Sequence, residues 1–424
     1  MIVALVVVST AVASERSEVL TARGEVAAAQ GHSDEAVRLL EQAVVADPDD
    51  AGAHSALGSA QLSLGHPDAA AEAFQRALAL DPTLPAAQIG LARTRGDSEA
   101  GFSREQSRTT GELGRLSSVR NAGEEKPWSL SLTTGFQYDS NVTVTPNGPS
   151  GTGTGKQDDG AWVAGVTARY DLIQRPDFLL RFEYDFYQTL HFDISDFDFR
   201  SQQPRLTASY GLTPSLWVGT QGGYNYYSLG PRTYQGEPYV LPFVSYLEGT
   251  WGLTQLLYRW GEDTYFSTPF NGVRDGPNQS VNLGQTFYLS DDRYVTVGYQ
   301  WNNENPKAST CTQSPPVGNC AAFGNDWEFS SNQGYVGVGS PLVLGAYLDL
   351  LYLFRSDDYR WRNSYANYTK RRQDYGNYLY TAITRPITEH VAVALTYYGT
   401  FNGSNIGLFE YNRNVVGAML QLTY

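Results

Sequence analysis

Between Ala161 and Leu172 the side chains alternate: Trp162, Ala164, Val166, Ala168, Tyr170 and Leu172 fall on one side of an extended chain, Thr167, Arg169 and Asp171 on the other. A two-residue period is that of a β-strand with one apolar and one polar face. The next stretch repeats it, with Phe178, Leu180, Phe182, Tyr184 and Phe186 opposed to Arg181, Glu183 and Asp185. Five neighbouring charges on one sheet face are costly in a packed soluble core, and they suit a wet lumen enclosed by a sheet whose outside meets lipid. Carried from Trp128 to Tyr424, the pattern predicts a transmembrane β-barrel of the outer-membrane type.

Alternation and turn residues together predict 14 antiparallel strands, at about 128–138, 161–173, 178–190, 200–212, 216–227, 239–251, 254–265, 278–289, 293–304, 329–340, 344–356, 374–385, 391–402 and 410–424. The count is even, as in bacterial barrels. The connections alternate between short ones carrying turn residues, such as Thr213-Pro214-Ser215, and long ones such as 139–160, 228–238, 305–328 and 357–373. Short connections are expected in the periplasm and long ones outside the cell, which places both barrel ends in the periplasm. Trp128, Tyr138, Trp162, Trp251, Tyr265 and Tyr294 are candidates for the aromatic girdles at the two membrane surfaces. Inward candidates are Arg169, Asp171, Arg181, Glu183, Asp185, Arg259 and Asp349, either as a conduction path or as a mutually paired network that fills the barrel.

Upstream the composition changes. Residues 15–97 are rich in Ala, Leu, Glu and Asp, and a comparison at an offset of 34 residues aligns Gly24 with Gly58, Ala36 with Ala70, Ala43 with Ala77 and Pro48 with Pro82. Small residues where two helices cross, a Gly at the turn and a Pro closing the second helix are the tetratricopeptide pattern. A third unit begins at Pro85 and fades after Arg95, as a solvating cap helix would. The repeats over 17–97 form either a docking groove for a periplasmic partner or a spacer and oligomerisation module. Met1 to Ala13 is an apolar run ending in Ala11-Val12-Ala13, the form of a cleaved signal peptide. Residues 98–127 are expected to be a flexible linker. The predicted fold class is therefore α plus transmembrane β: a short tetratricopeptide α-solenoid followed by a 14-stranded antiparallel outer-membrane β-barrel over 128–424.

Net charge and scarce ligands exclude several functions. A formal charge of -14 argues against nucleic acid as a partner. Cys311 and Cys320 share one polar loop and are expected to form a disulfide, since a zinc site needs more ligands than that loop offers. Of the five histidines, His191 is expected at the outer rim and His390 in a periplasmic turn, neither beside a Ser and an acid at triad spacing. The pairs Asp291-Asp292 and Asp357-Asp358 sit in a turn and a loop, where solvated Asp is the default. No phosphate-binding glycine loop or metal-ligand cluster is evident, so no enzymatic chemistry, cofactor or metal is expected.

Two stretches carry a family likeness. Gly135-Phe136-Gln137-Tyr138-Asp139-Ser140-Asn141-Val142 is similar to the opening of barrels that follow a tetratricopeptide region, and Ser404-Asn405-Ile406 with Glu410-Tyr411-Asn412-Arg413-Asn414-Val415-Val416 is similar to their end. With signal, short repeats and 14 strands, the chain resembles the surface lipoprotein assembly modifiers of Gram-negative bacteria. That resemblance implies a barrel assisting the passage of a protein or lipoprotein client to the cell surface, with periplasmic repeats engaging it. Exopolysaccharide export porins join similar repeats to a barrel, generally with more repeats and 16 strands, and would imply polysaccharide export machinery as the partner. A passive porin or structural anchor is the third possibility. In each case the barrel is embedded in outer-membrane lipid.

Overall fold

The computed structural model describes residues 17, 19–28, 32–64, 66–81, 84, 86–87, 90, 127–147, 158–266, 274–290, 292–307, 324–366 and 368–424. The expected leader over 1–13, the expected linker apart from Pro127, the cysteines Cys311 and Cys320, and Pro82 lie outside the described residues.

The amino-terminal region is helical: α1 (19–28), α2 (Ser33–Ala46), α3 (Ala51–Ser63) and α4 (Pro67–Leu80). The repeat signature explains their packing. Ala36, Ala43, Ala70 and Ala77 are wholly buried, because at these positions only a methyl group fits between crossing helices. Gly24 and Gly58 go further, since a Cβ at Gly24 would stand 2.5 Å from Leu40 Cγ and one at Gly58 would stand 2.8 Å from the Phe74 ring. Phe74 is also covered by Gly90 in the fading third unit, which is why a cap is needed there. Asp50 caps α3 by accepting from the Ala53 N–H at 3.0 Å and also accepts from Ser17 Oγ at 2.9 Å, tying the first unit to the second. Pro48 follows the α2 C-cap, Asp47, and its carbonyl takes a 3.0 Å hydrogen bond from His54.

The carboxy-terminal region is a closed antiparallel barrel of 14 strands: β1 (Trp128–Asp139), β2 (Asp159–Arg175), β3 (Phe178–His191), β4 (Phe199–Gly211), β5 (Leu216–Leu229), β6 (Arg232–Glu248), β7 (Gly252–Tyr265), β8 (Gly276–Ser290), β9 (Arg293–Glu304), β10 (Phe329–Pro341), β11 (Tyr347–Arg362), β12 (Arg371–Pro386), β13 (Val391–Ser404) and β14 (Tyr411–Thr423). Every strand pairs with its neighbours in sequence, and β14 pairs with β1 to close the ring. Among the described residues no helix is long and apolar enough to cross a membrane. The barrel's outside is apolar instead: Phe136, Trp162, Phe182, Leu206, Val244, Leu256, Leu283, Phe354, Leu395 and Val416 are all exposed, a surface suited to hydrocarbon and not to water.

The structure corrects the predicted strand map in three places. The expected long connection 228–238 is a two-residue turn, because β5 and β6 continue past the belt and reverse at Gly230-Pro231, where Gly230 takes φ +55. Likewise β11 and β12 extend into the expected loop 357–373 and leave only 363–370 as connection. In β2 a bulge at Leu172 shifts the register, so that Tyr170 pairs with Phe182 and Ile173 with Leu180, both still facing outward. Of the expected girdle residues, Trp128, Tyr138, Trp162 and Trp251 are exposed on the outside. Tyr265 and Tyr294 are not girdle residues: Tyr265 is buried in an inner aromatic cluster, and the Tyr294 hydroxyl donates to inward Asp349 at 3.1 Å.

Phe74→Ala would leave a cavity walled by rigid helix backbone at Gly58 and Gly90, and is expected to destabilise the repeats by about 3–5 kcal/mol. Circular dichroism of the full chain should then show helical signal lost at lower denaturant concentration while the β signal is unmoved.

Candidate functional site: the barrel lumen

Many inward side chains of the barrel are polar, and they meet one another across strands. Asp171 and Arg181 are cross-strand partners joined by two hydrogen bonds, Arg181 Nε to Asp171 Oδ1 at 2.5 Å and Nη2 to Oδ2 at 3.0 Å. Arg205 on β4 takes the next two carboxylates, donating to Glu183 at 3.3 Å and to Asp185. Arg169 stands opposite Glu183 on the same face. Three cations and three anions thus form one ladder over β2, β3 and β4, which lowers the cost of keeping charge off bulk water. Farther round the barrel Arg259 is ion-paired with Glu237 at 2.7 Å and donates to Asn278 at 2.8 Å, and its guanidinium stacks on Tyr239 at 4.5 Å. Asn278 donates in turn to Glu237 and to Asp263, each at 2.8 Å. The seven charges read from the sequence as inward lie in three separate places rather than in one site.

The sequence reading missed the denser group at the long-loop end of the barrel. Three local pairs line up there: Arg355 with Asp357 at 2.7 Å, Arg372 with Asp374 at 2.8 Å, and Arg413 with Asp139 at 2.8 Å. The Arg372 guanidinium lies between the rings of Phe409, 3.4 Å away, and Tyr359, 4.4 Å away. Arg274 stacks at 4.1 Å on Trp327 and at 4.7 Å on Tyr265. In the connection 363–370, burial and then the Asp326 carboxylate push the Tyr368 phenol up from its ordinary value. Alternation was the signal available for the missed charges, since Arg205 is flanked by outward Leu206, and Asp139 follows outward Tyr138.

At the same end Phe199, Tyr227, Tyr234 and Tyr265 pack together from β4 to β7, with Phe199 and Tyr227 stacked at 5.8 Å and no more than 1% exposed. These rings form a compact aromatic patch on the inner wall. Lower on β4 the inward Ser201, Gln203, Arg205 and Ser209 are buried too.

The two stretches that carry the family likeness meet at the closing seam. The Asp139 carboxylate accepts from Arg413 and from the Asn141 N–H at 2.9 Å. Asn141 Nδ2 donates to the Asn412 carbonyl at 3.0 Å, and the Asn414 N–H donates to Ser140 Oγ at 2.9 Å. Asn147 and residues 410–412 exchange two further bonds. The stretch after β1 is thus latched to the start of β14. At the other end of the seam Tyr424 exchanges backbone hydrogen bonds with Leu130, and its ring stacks on His390 at 5.1 Å. His191 lies against Asp198 at 3.3 Å, and His390 Nδ1 lies 2.9 Å from the Thr423 carbonyl.

Residues 21–85 match the tetratricopeptide repeat family. No curated protein sequence matches the chain. Among solved structures it is similar to an anion-selective porin from Comamonas acidovorans, at 8% identity over 70% of this chain and 98% of that one with TM-score 0.40. It is also similar to the outer membrane channel DcaP of Acinetobacter baumannii, at 12% identity over 70% and 96% with TM-score 0.40. OprD of Pseudomonas aeruginosa matches at 10% identity over 72% and 97%, with TM-score 0.35.

Asp139 and Arg413 are 0% and 1% exposed, so Arg413→Ala strands a buried carboxylate and is expected to cost about 3–5 kcal/mol. The temperature at which the folded barrel loses its fast gel mobility should fall. Removing both partners should recover part of that loss.

Proposed function

We propose that the protein is a non-enzymatic outer-membrane component that brings a periplasmic protein or lipoprotein client to the cell surface, with the tetratricopeptide repeats recruiting it. The observation that carries this is the union in one chain of a repeat module with an exposed apolar stripe and a lipid-facing barrel whose inner charges are paired across strands. Val19 and Val26, seven residues apart on α1, are each 56% exposed, as suits a groove that grips an apolar segment. A passive pore has no use for such a stripe, and it is poorly served by a lumen whose charges are cross-paired. In this proposal the short-turn end faces the periplasm. Chain entry at β1 and exit at β14 both lie at that end, which supports the reading of the repeats as periplasmic. The surface lipoprotein assembly modifiers are the family whose known role agrees with this arrangement.

Polysaccharide export is the second reading, favoured by one group on the inner wall. Tyr294 donates to Asp349, with Tyr347 and Tyr380 close by, a combination of aromatic faces and a carboxylate suited to sugar hydroxyls and rings.

Val26→Asp places a charge in the stripe and leaves the helix crossing at Gly24 intact. Surface exposure of the client should fall about tenfold, equivalent to about 1.4 kcal/mol of binding, with the barrel still folded. Deletion of residues 17–97 should abolish client export; export undiminished by that deletion defeats the proposal.

A further inference from the structure

On the lipid side of the barrel, Ile383, Leu395, Ala418, Phe136 and Trp162 are successive cross-strand partners on β12, β13, β14, β1 and β2. The row crosses the closing seam obliquely over four strand spacings, about 19 Å at ~4.8 Å each. Its middle is low because Ala418 offers only a methyl group, and the surface sinks there into a groove of about 840 Å³, within the size range of small-molecule sites.

The groove is walled at the short-turn end by the connection between β10 and β11. Leu344 there adopts φ 60, ψ 25, a left-handed conformation that bulky residues rarely take. Val343 and Leu344 are 83% and 79% exposed, so this turn holds two large apolar side chains outward beside the groove. Strain of this kind persists where the finished structure uses it, and contact with hydrocarbon is the use available to these side chains. Arg385 lines the same end of the groove, on the outward face of β12 with Ile383 and one residue before the strand ends at Pro386. A guanidinium at the edge of the hydrocarbon is matched by a phosphate, which it can bond through two N–H groups.

A cation at one end and an apolar trough along the rest are complementary to an amphiphile with an anionic head. We propose that this groove seats one phospholipid of the periplasmic leaflet, its phosphate on Arg385 and one acyl chain lying over Ala418 across the seam between β1 and β14. The assignment rests on the placement of the short turns in the periplasm proposed above.

The test is native mass spectrometry of the full chain extracted from outer membranes into mild detergent, with phosphatidylethanolamine and phosphatidylglycerol as the added probes. Wild type should retain one phospholipid per chain. Ala418→Phe, which fills the trough from the outside, should lower occupancy about tenfold, and Arg385→Gln should lower it severalfold. Leu256→Phe, outward on the opposite wall, should leave it unchanged. Val393→Phe fills the same trough and replaces Ala418→Phe if that variant does not fold. No phospholipid retained by wild type, equal retention by the filled variants, or a dimer that Ala418→Phe splits would each overturn the proposal. Retention of lipopolysaccharide in place of phospholipid would overturn it together with the orientation. Client export is scored separately in the same strains, so loss of lipid with export intact distinguishes this seat from the recruiting role.

Discussion

A β-sheet in hydrocarbon has no water to satisfy an open edge, so everything in this protein depends on the pairing of β14 with β1. The ladder runs from Ser131 opposite Thr423 to Asp139 opposite Val415, and each end carries a reinforcement. At the long-loop end the buried Asp139–Arg413 pair and the asparagines around it fasten the stretch after β1 onto the start of β14. At the short-turn end the last residue of the chain, Tyr424, completes the ladder against Leu130. Burying an ion pair at that junction makes the correct register costly to replace, because a slipped register leaves a charge unpaired in the interior.

Much of this was legible in the sequence because a barrel wall has two faces: each side chain points to lipid or lumen, and the period of two runs through the strands, interrupted only locally by bulges such as that at Leu172. The strand number and most boundaries follow from it. The failures are equally physical. Residues 228–238 contain Gly and Pro and imitate a loop, yet Gly230 supplies the positive φ that lets two long strands reverse within two residues. Tyr265 and Tyr294 stand near strand ends, as girdle residues do, but alternation sets them inward, and the neighbouring outward Phe266 shows how a single position of phase decides the face. In the repeats, Gly24, Gly58 and the buried alanines were identifiable because close helix crossing tolerates few residue types.

The charges illustrate a different limit. Period alone identified Arg169, Asp171, Arg181, Glu183 and Asp185 as facing one way, but their partner Arg205 sits on the next strand, where no local pattern links it to them. The same holds for Asp139 and Arg413, separated by nearly the whole barrel and joined only when it closes. Pairing across strands belongs to register, and register is a property of the closed ring. It also changes how the inner wall reads: its charges are paired across strands and its aromatic rings pack on one another.

The central claim is that the repeats and the barrel act together to bring a client to the cell surface. The most direct measurement is a quantitative comparison of surface proteins, periplasmic proteins and surface polysaccharide in cells with and without the gene. The account predicts that one protein or lipoprotein disappears from the surface and accumulates in the periplasm while polysaccharide is unchanged. Loss of polysaccharide alone, or no change in either, would contradict it.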